Sequence, residues 1–288
     1  MTTHTNQHRT NKSLTTLKHI TLITTLLLCC NCIIAQQGAY SFQGSRSAGL
    51  ASISSTLNSV NAVFNNFSNA LLSKEKFGAI IGSQRRFSLS ELSTAQMGAF
   101  KKIGSNNAFG VSLNTYGFTE YREHKLSLSY ARRILENLSL SVNFDYNQLI
   151  ISENGEKAFF TYGIGLSGKV NDKIGYAAYI FNFENSDIAT QTESNAYIQL
   201  GFYNIVSKKI KLHAELEKYI KELPNLKLGI EYSPISLLDV RLGFNTLPGT
   251  MAFGFSVDIN SKISLDADVQ YNNLLGTSPS IGLKYLAQ

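Results

Sequence analysis

From Phe77 almost to its last residue, the chain alternates apolar and polar side chains with a period of two. In an extended strand, successive side chains point to opposite faces, so this alternation means strands whose two faces meet different surroundings. Leu138, Leu140, Val142, Phe144 and Tyr146 share one face, and Ser139, Ser141, Asn143 and Asp145 share the other. Leu226, Leu228, Ile230 and Tyr232 stand against Lys227, Gly229 and Glu231, and Leu238, Val240, Leu242 and Phe244 against Asp239, Arg241 and Gly243. The pattern recurs at Phe253–Ile259 and Ile263–Tyr271. It predicts fourteen strands, at about 76–87, 94–103, 107–117, 123–132, 137–149, 157–169, 173–183, 195–206, 209–219, 225–233, 236–245, 250–259, 262–271 and 278–287. The phase of 173–183 is ambiguous, because Tyr, Ile and Phe occupy both of its faces.

Two architectures bury such a pattern. In a soluble β-sandwich the apolar faces meet in a core. In a closed transmembrane barrel they face lipid, and the polar faces line the lumen. The apolar faces carry no charge, as lipid contact requires: Lys or Arg at mid-bilayer costs about 2–4 kcal/mol. Tyr146, Tyr232, Phe244, Tyr271 and Tyr285 close several of them, where an interfacial aromatic girdle would lie. Predicted links alternate between tight ones, such as 104–106, 207–208 and 260–261, and longer ones, such as 88–93, 184–194 and 272–277. That is the pattern of periplasmic turns and external loops. An open sheet of this size would leave two edges, which closure removes. The fold class expected is therefore all-β, a closed antiparallel transmembrane β-barrel. An even strand count places both termini in the periplasm.

Residues 1–35 read as a secretory leader. A polar, basic stretch precedes the apolar run Ile20–Leu28, and Ile33-Ile34-Ala35 forms a small-residue cleavage site before Gln36. A lipoprotein leader is the rival reading, since Cys29, Cys30 and Cys32 lie close by, but Leu28, Cys29 and Asn31 precede them instead of the usual Gly, Ala or Ser. The apolar run is shorter than the roughly 20 residues of a membrane-spanning helix. Removing the leader removes every cysteine, and with them thiol chemistry and disulfides. The 26 basic and 20 acidic residues of the whole chain become 23 and 20 once Arg9, Lys12 and Lys18 are gone. That balance is too mild for a nucleic-acid partner.

If the outside is apolar, the other face lines the lumen. Its expected members are Lys211, His213, Glu215, Glu217, Lys227, Glu231, Asp239, Arg241, Asp266, Asp268 and Lys284. Both signs occur, which suits either an ion-pair network filling the lumen or a polar passage; a strongly selective pore would show one sign. Residues 36–75 differ from the rest. They are rich in Gly and Ser, with Ile53, Leu57, Val60 and Phe64 at near-helical spacing. This segment is expected either as short helices plugging the lumen or its mouth, or as a periplasmic arm. The domains are then a signal peptide (1–35), a plug-like or periplasmic segment (36–75) and the barrel (76–288).

Catalytic constellations are weak. His124 lies near Ser127 and Ser129, but neighbours on one strand rarely assemble a triad. His213 has no second histidine at metal-ligand spacing. Asp266 and Asp268 form a same-face pair that charge balance with lumen lysines explains as well as glycosidase chemistry does. The run Gly163–Gly168 sits inside a strand and opens no helix, so it is no phosphate cradle. No enzyme activity, metal or cofactor is expected.

Several blocks resemble a known family. Gly44-Ser45-Arg46-Ser47-Ala48-Gly49-Leu50-Ala51, Val63-Phe64-Asn65-Asn66 and Ala70-Leu71-Leu72 look like the amino-terminal signature of the PorV/PorQ proteins, which belong to the FadL-like outer-membrane barrels of Bacteroidota. Ser90–Thr94 and the block Tyr116-Gly117-Phe118 through Leu126–Arg132 are similar to small members of that group. Within the signature, Gly44, Arg46, Gly49, Phe64, Asn65 and Asn66 stand out. The resemblance implies a fourteen-stranded barrel with an amino-terminal segment inside or beneath it. It also implies a role as an accessory of type IX secretion or surface-protein assembly, with secretion-system proteins as partners beside outer-membrane lipid. FadL-like relatives instead pass small hydrophobic molecules, so a passive channel with a small apolar ligand is the alternative.

Overall fold

The alternating segments form one antiparallel sheet of fourteen strands that closes on itself. The structure, a computed structural model, describes residues 42–182, 196–220 and 222–287. The expected leader, its cysteines and the cleavage site lie outside the described residues, as do residues 36–41. The strands are β1 (Phe77–Arg85), β2 (Ser93–Ile103), β3 (Asn107–Gly117), β4 (Tyr121–Leu135), β5 (Leu138–Ile151), β6 (Gly155–Lys169) and β7 (Ile174–Phe181). They continue as β8 (Tyr197–Ser207), β9 (Ile210–Tyr219), β10 (Asn225–Ile235), β11 (Leu238–Asn245), β12 (Thr250–Asp258), β13 (Ile263–Asn272) and β14 (Gly276–Ala287). Each pairs with its sequence neighbours, and β1 closes the ring against β14 through Phe77↔Ala287 to Gln84↔Ser280. Among the described residues every strand is paired on both sides, so the ring has no terminal edge strand.

Closure decides between the two architectures. The rows Leu138–Tyr146 and Leu226–Tyr232 point outward, with Val142 53% and Leu228 47% exposed. Across each strand, Ser139, Ser141, Asn143, Lys227 and Glu231 point inward and are buried. A sandwich would have the reverse. The ambiguous β7 resolves with Tyr179 inward and Tyr176 and Ile180 outward.

Several strands run further than the alternation suggests, notably β4, β5 and β14. Backbone pairing continues past the point where side chains stop alternating, because the ladder's hydrogen bonds join backbone groups whatever side chains they carry. As a result the links 118–120, 152–154 and 273–275 shrink to the size of the turns at the other rim, so the expected contrast in link length is weaker than the sequence implies. It survives mainly at 86–92 and between β7 and β8, where most of the link lies outside the described residues.

The segment before β1 runs inside the barrel. It holds a short helix α1 (Ser45–Ala48) and two 3-10 turns, Ser59–Phe64 and Phe67–Leu72. Ile53 and Leu57 lie in irregular backbone, so the near-helical spacing is realised only in its second half. Glycine and serine cannot stabilise a free helix of this length. What holds the segment is burial: Leu50, Ile53, Leu57, Val60, Phe67 and Leu71 are each no more than 1% exposed.

Candidate functional site: the plugged lumen

The inner segment meets two chemically different walls. Val60, Val63, Phe64, Phe67 and Leu71 pack against Ile80, Phe100, Ala108 and Ala131 from β1 to β4. Small inward residues make room for them. A Cβ at Gly110 would stand 2.6 Å from the Phe67 ring, and one at Gly243, on the opposite wall, would collide with the backbone of Leu50 and Ala51. Glycine on the inward face is thus what lets the plug backbone lie directly on the sheet.

The opposite wall, β8 to β14, is ionic. Arg46 on α1 makes a bidentate pair with Glu231, Nε donating to Oε1 and one terminal nitrogen to Oε2, each at 2.7 Å; another terminal nitrogen donates to Asn58 at 3.1 Å. Burial alone would lower the Arg46 pKa, but Glu231, with Asp239 and Asp266 further off, outweighs it and holds the guanidinium above its ordinary value. Glu231 also meets His213 Nε2 at 3.1 Å, and the other ring nitrogen of His213 meets the Thr56 hydroxyl at 3.0 Å. Arg241, 1% exposed, reaches Asp266 at 3.0 Å and Asp268 at 3.3 Å, and Lys284 reaches Asp266 at 3.0 Å.

A second cluster grips the middle of the plug. One Glu215 oxygen accepts from the Ser54 and Ser55 amides at 3.0 and 2.7 Å and from the Ser55 hydroxyl at 2.6 Å. Lys227 bridges Glu215 and Glu217 at 2.9 Å each and donates to the Ser52 carbonyl at 2.9 Å. Gln199 donates to Glu217 at 2.6 Å and accepts from Asn65 at 2.8 Å, while Asn65 also donates to the Ser54 hydroxyl. Asn143 donates to the Asn65 carbonyl at 2.8 Å, and Asn66 donates to the carbonyls of Leu166 and Ala178.

Of the residues singled out in the sequence, His213, Glu215, Glu217, Lys227, Glu231, Arg241, Asp266, Asp268 and Lys284 sit buried on the inner wall in these clusters. Asp239 is only partly buried and accepts from Ser233 at 2.5 Å. Lys211 stands apart, its ammonium 4.2 Å from the Tyr203 ring centroid. Arg46, Phe64, Asn65 and Asn66 make plug-to-wall contacts. Gly44 begins α1 at φ 93°, a backbone region that favours glycine, and Gly49 passes Asp268 too closely for a Cβ. The sequence reading missed the partners: Ser52, Ser54, Ser55, Thr56, Asn143 and Gln199, and the inward glycines. The glycines left a signal, since Gly229, Gly243 and Gly254 stand on polar faces. The hydrolase idea fails on geometry. His124 lies on the face opposite Ser127 and Ser129, and its ring meets Thr115 at 3.0 Å.

Two cavities accompany this arrangement. About 520 Å³ lies in an apolar concavity on the outer surface of β3 to β6, among Phe109, Leu128, Tyr130, Val142, Phe144, Tyr162 and Ile164. Behind that wall sit Asn65, Asn66 and Phe67 of the plug. A smaller space of about 100 Å³ lies between plug and wall near the rim that carries the start of β1. Among the described residues the β6–β7 ladder begins at Gly163, leaving Gly155–Tyr162 of β6 outside it.

A closed fourteen-stranded antiparallel barrel with an apolar exterior, a polar inner wall and an amino-terminal segment inside it has the architecture of FadL-like outer-membrane barrels. The solved structures it is similar to include the toluene transporter TbuX of Ralstonia pickettii, at 10% identity and a TM-score of 0.67 over 86% of this chain and 99% of that one. The toluene transporter TodX of Pseudomonas putida gives 9% and 0.65, over 88% and 97%. A FadL homologue of Pseudomonas aeruginosa gives 10% and 0.63, over 84% and 98%. At these identities the likeness is one of fold. No family model matches the chain, and no curated protein matches it in sequence.

Proposed function

We propose that the protein is a FadL-like passive channel of the outer membrane for small apolar molecules, described here with its plug seated. The supporting observation is the plug itself. Among its described residues, a segment rich in Gly and Ser occupies the lumen and adds no strand to the sheet, so it can shift without breaking the barrel. The apolar concavity over β3 to β6 backs onto the same segment, and its volume falls within the range of small-ligand pockets. The similar structures named as toluene transporters carry apolar cargo on the same architecture. On this reading residues 1–35 are a removed leader, 36–75 form the plug unit, 76–288 form the barrel, both termini are periplasmic, and the protein performs no catalysis.

Uptake of a fluorescent monoaromatic probe by proteoliposomes tests the proposal. Entry above that of empty liposomes, rising further in Arg46→Ala, is the expected result. Entry equal to that of empty liposomes in both cases overturns it.

A second reading is an accessory of type IX secretion or surface assembly, in the manner of the PorV/PorQ proteins. What favours it is the filling of the lumen by the plug, with a space of about 100 Å³ at one rim. A barrel whose lumen is filled serves as a membrane scaffold. Affinity purification after mild solubilisation decides: secretion components recovered with the barrel support this reading, and their absence together with intact secretion in a deletion strain removes it.

A further inference from the structure

Buried cations on the inner wall follow one rule. Arg46, Lys227, Arg241 and Lys284 each face carboxylates within 3.3 Å. Taking an ammonium out of water is costly, and pairing is how the lumen offsets it. The small cavity at the terminal rim breaks the rule. Lys169 at the end of β6 and Lys211 at the start of β9 both line it, and among the described residues neither makes an ion pair.

The rest of the lining is suited to an oxyanion. Tyr203 and Lys211 stand face to ammonium at 4.2 Å, which fixes the lysine beside the cavity. Asn58 spends its side-chain oxygen on Arg46, which leaves its amide hydrogens to donate. Asn69 and Thr56 line the plug side, and the exposed Asp172 stands at the lip, beyond ion-pair distance of either lysine. A space of about 100 Å³ is far below the roughly 300 Å³ at which drug-sized pockets begin, so it admits a headgroup and excludes a hydrocarbon body. Two lysines lining one small space, with the Asn58 amide hydrogens beside them, suit a tetrahedral oxyanion, which offers acceptors in every direction; the nearest carboxylates, Asp172 at the lip and Glu231 paired across the strand from Lys211, stay beyond ion-pair distance of both lysines.

We propose that this cavity, between the plug and β6–β9, binds a single phosphate group through Lys169 and Lys211. The phosphate is either free or the headgroup of a phospholipid in the adjoining leaflet. This site does not depend on the transport reading, and its occupant would pin the plug to the wall at the rim where the chain enters.

The test is calorimetric titration of inorganic phosphate into the purified full-length protein in phosphate-free detergent. Saturable binding is expected, weakened roughly tenfold or more by Lys211→Gln or Lys169→Gln. Lys262→Gln, an exposed lysine on the same rim, should bind as the parent does. The heat-induced shift in gel mobility reports that each variant remains a folded barrel. Repeating the titration in bilayers separates the sources. Binding retained in phosphatidylglycerol and phosphatidylcholine alike indicates free phosphate. Binding present in phosphatidylcholine but displaced in phosphatidylglycerol indicates the headgroup. No saturable heat in any medium, or affinity equal to the parent's in the folded Lys169→Gln and Lys211→Gln variants, overturns the proposal.

Discussion

Arg46 and Glu231 are 185 positions apart in sequence and joined side by side, two guanidinium nitrogens each 2.7 Å from a carboxylate oxygen. The pair ties the first turn of the plug to the inner face of β10. Removing Arg46 takes both short bonds from a buried carboxylate and leaves it the longer contacts to His213 at 3.1 Å and Arg241 Nε at 3.5 Å. Arg46→Ala should therefore destabilise the protein by about 3–5 kcal/mol, as breaking a buried pair does. The measurement is the urea midpoint of the barrel folded in lipid vesicles. A midpoint within error of the parent would show that the pair is a spectator.

Lys227 is the hub of the second cluster, shared by Glu215, Glu217 and the Ser52 carbonyl. Lys227→Met keeps much of the volume and removes the charge, leaving two buried carboxylates close together. Loss of plug anchoring is expected, read as new cleavage within residues 42–73 by a protease acting on the folded barrel. The triple change Lys227→Met with Glu215→Gln and Glu217→Gln should restore protection, because a neutral cluster carries no stranded charge.

Gly243 lies under the Leu50–Ala51 peptide with no room for a side chain. Gly243→Val should cost about 1–3 kcal/mol through overpacking. It should also push the plug off the wall, so that probe entry into proteoliposomes rises. The same change at Gly249, which has open space around it but φ +70°, should cost stability without altering entry.

The outward rows predict a different response. Val142→Lys places an ammonium on the lipid-facing surface and should lower vesicle-folded stability by about 2–4 kcal/mol if the site lies near mid-bilayer. In detergent, where water and headgroups reach the side chain, the penalty should shrink. Equal stability in the two media would argue against lipid contact at that row.

The barrel was legible because its cause is local. Alternation at Leu138–Tyr146 or Leu226–Tyr232 is written in consecutive residues, and only the outward sense needed closure to decide it. Strand ends were less legible, since backbone pairing in β4 and β5 outruns the side-chain pattern. The inward charges could be named from the period alone, but their pairing could not. Nothing adjacent to Glu215 announces that its partners are Ser54, Ser55 and Lys227, because those contacts cross the lumen. Likewise, an isolated glycine in a strand reads as a weak point until Leu50 is seen lying on Gly243.

By itself, the sequence determined that this chain makes many two-faced strands, one face fit for hydrocarbon, and that its first segment cannot join them. Local geometry suffices for that, because side-chain direction in a strand follows position parity. It took the folded ring to show that the first segment lies inside, that four cations there face carboxylates within 3.3 Å and that, among the described residues, Lys169 and Lys211 make no ion pair. Those facts depend on which residues meet across the ring, and closure brings together positions far apart in sequence.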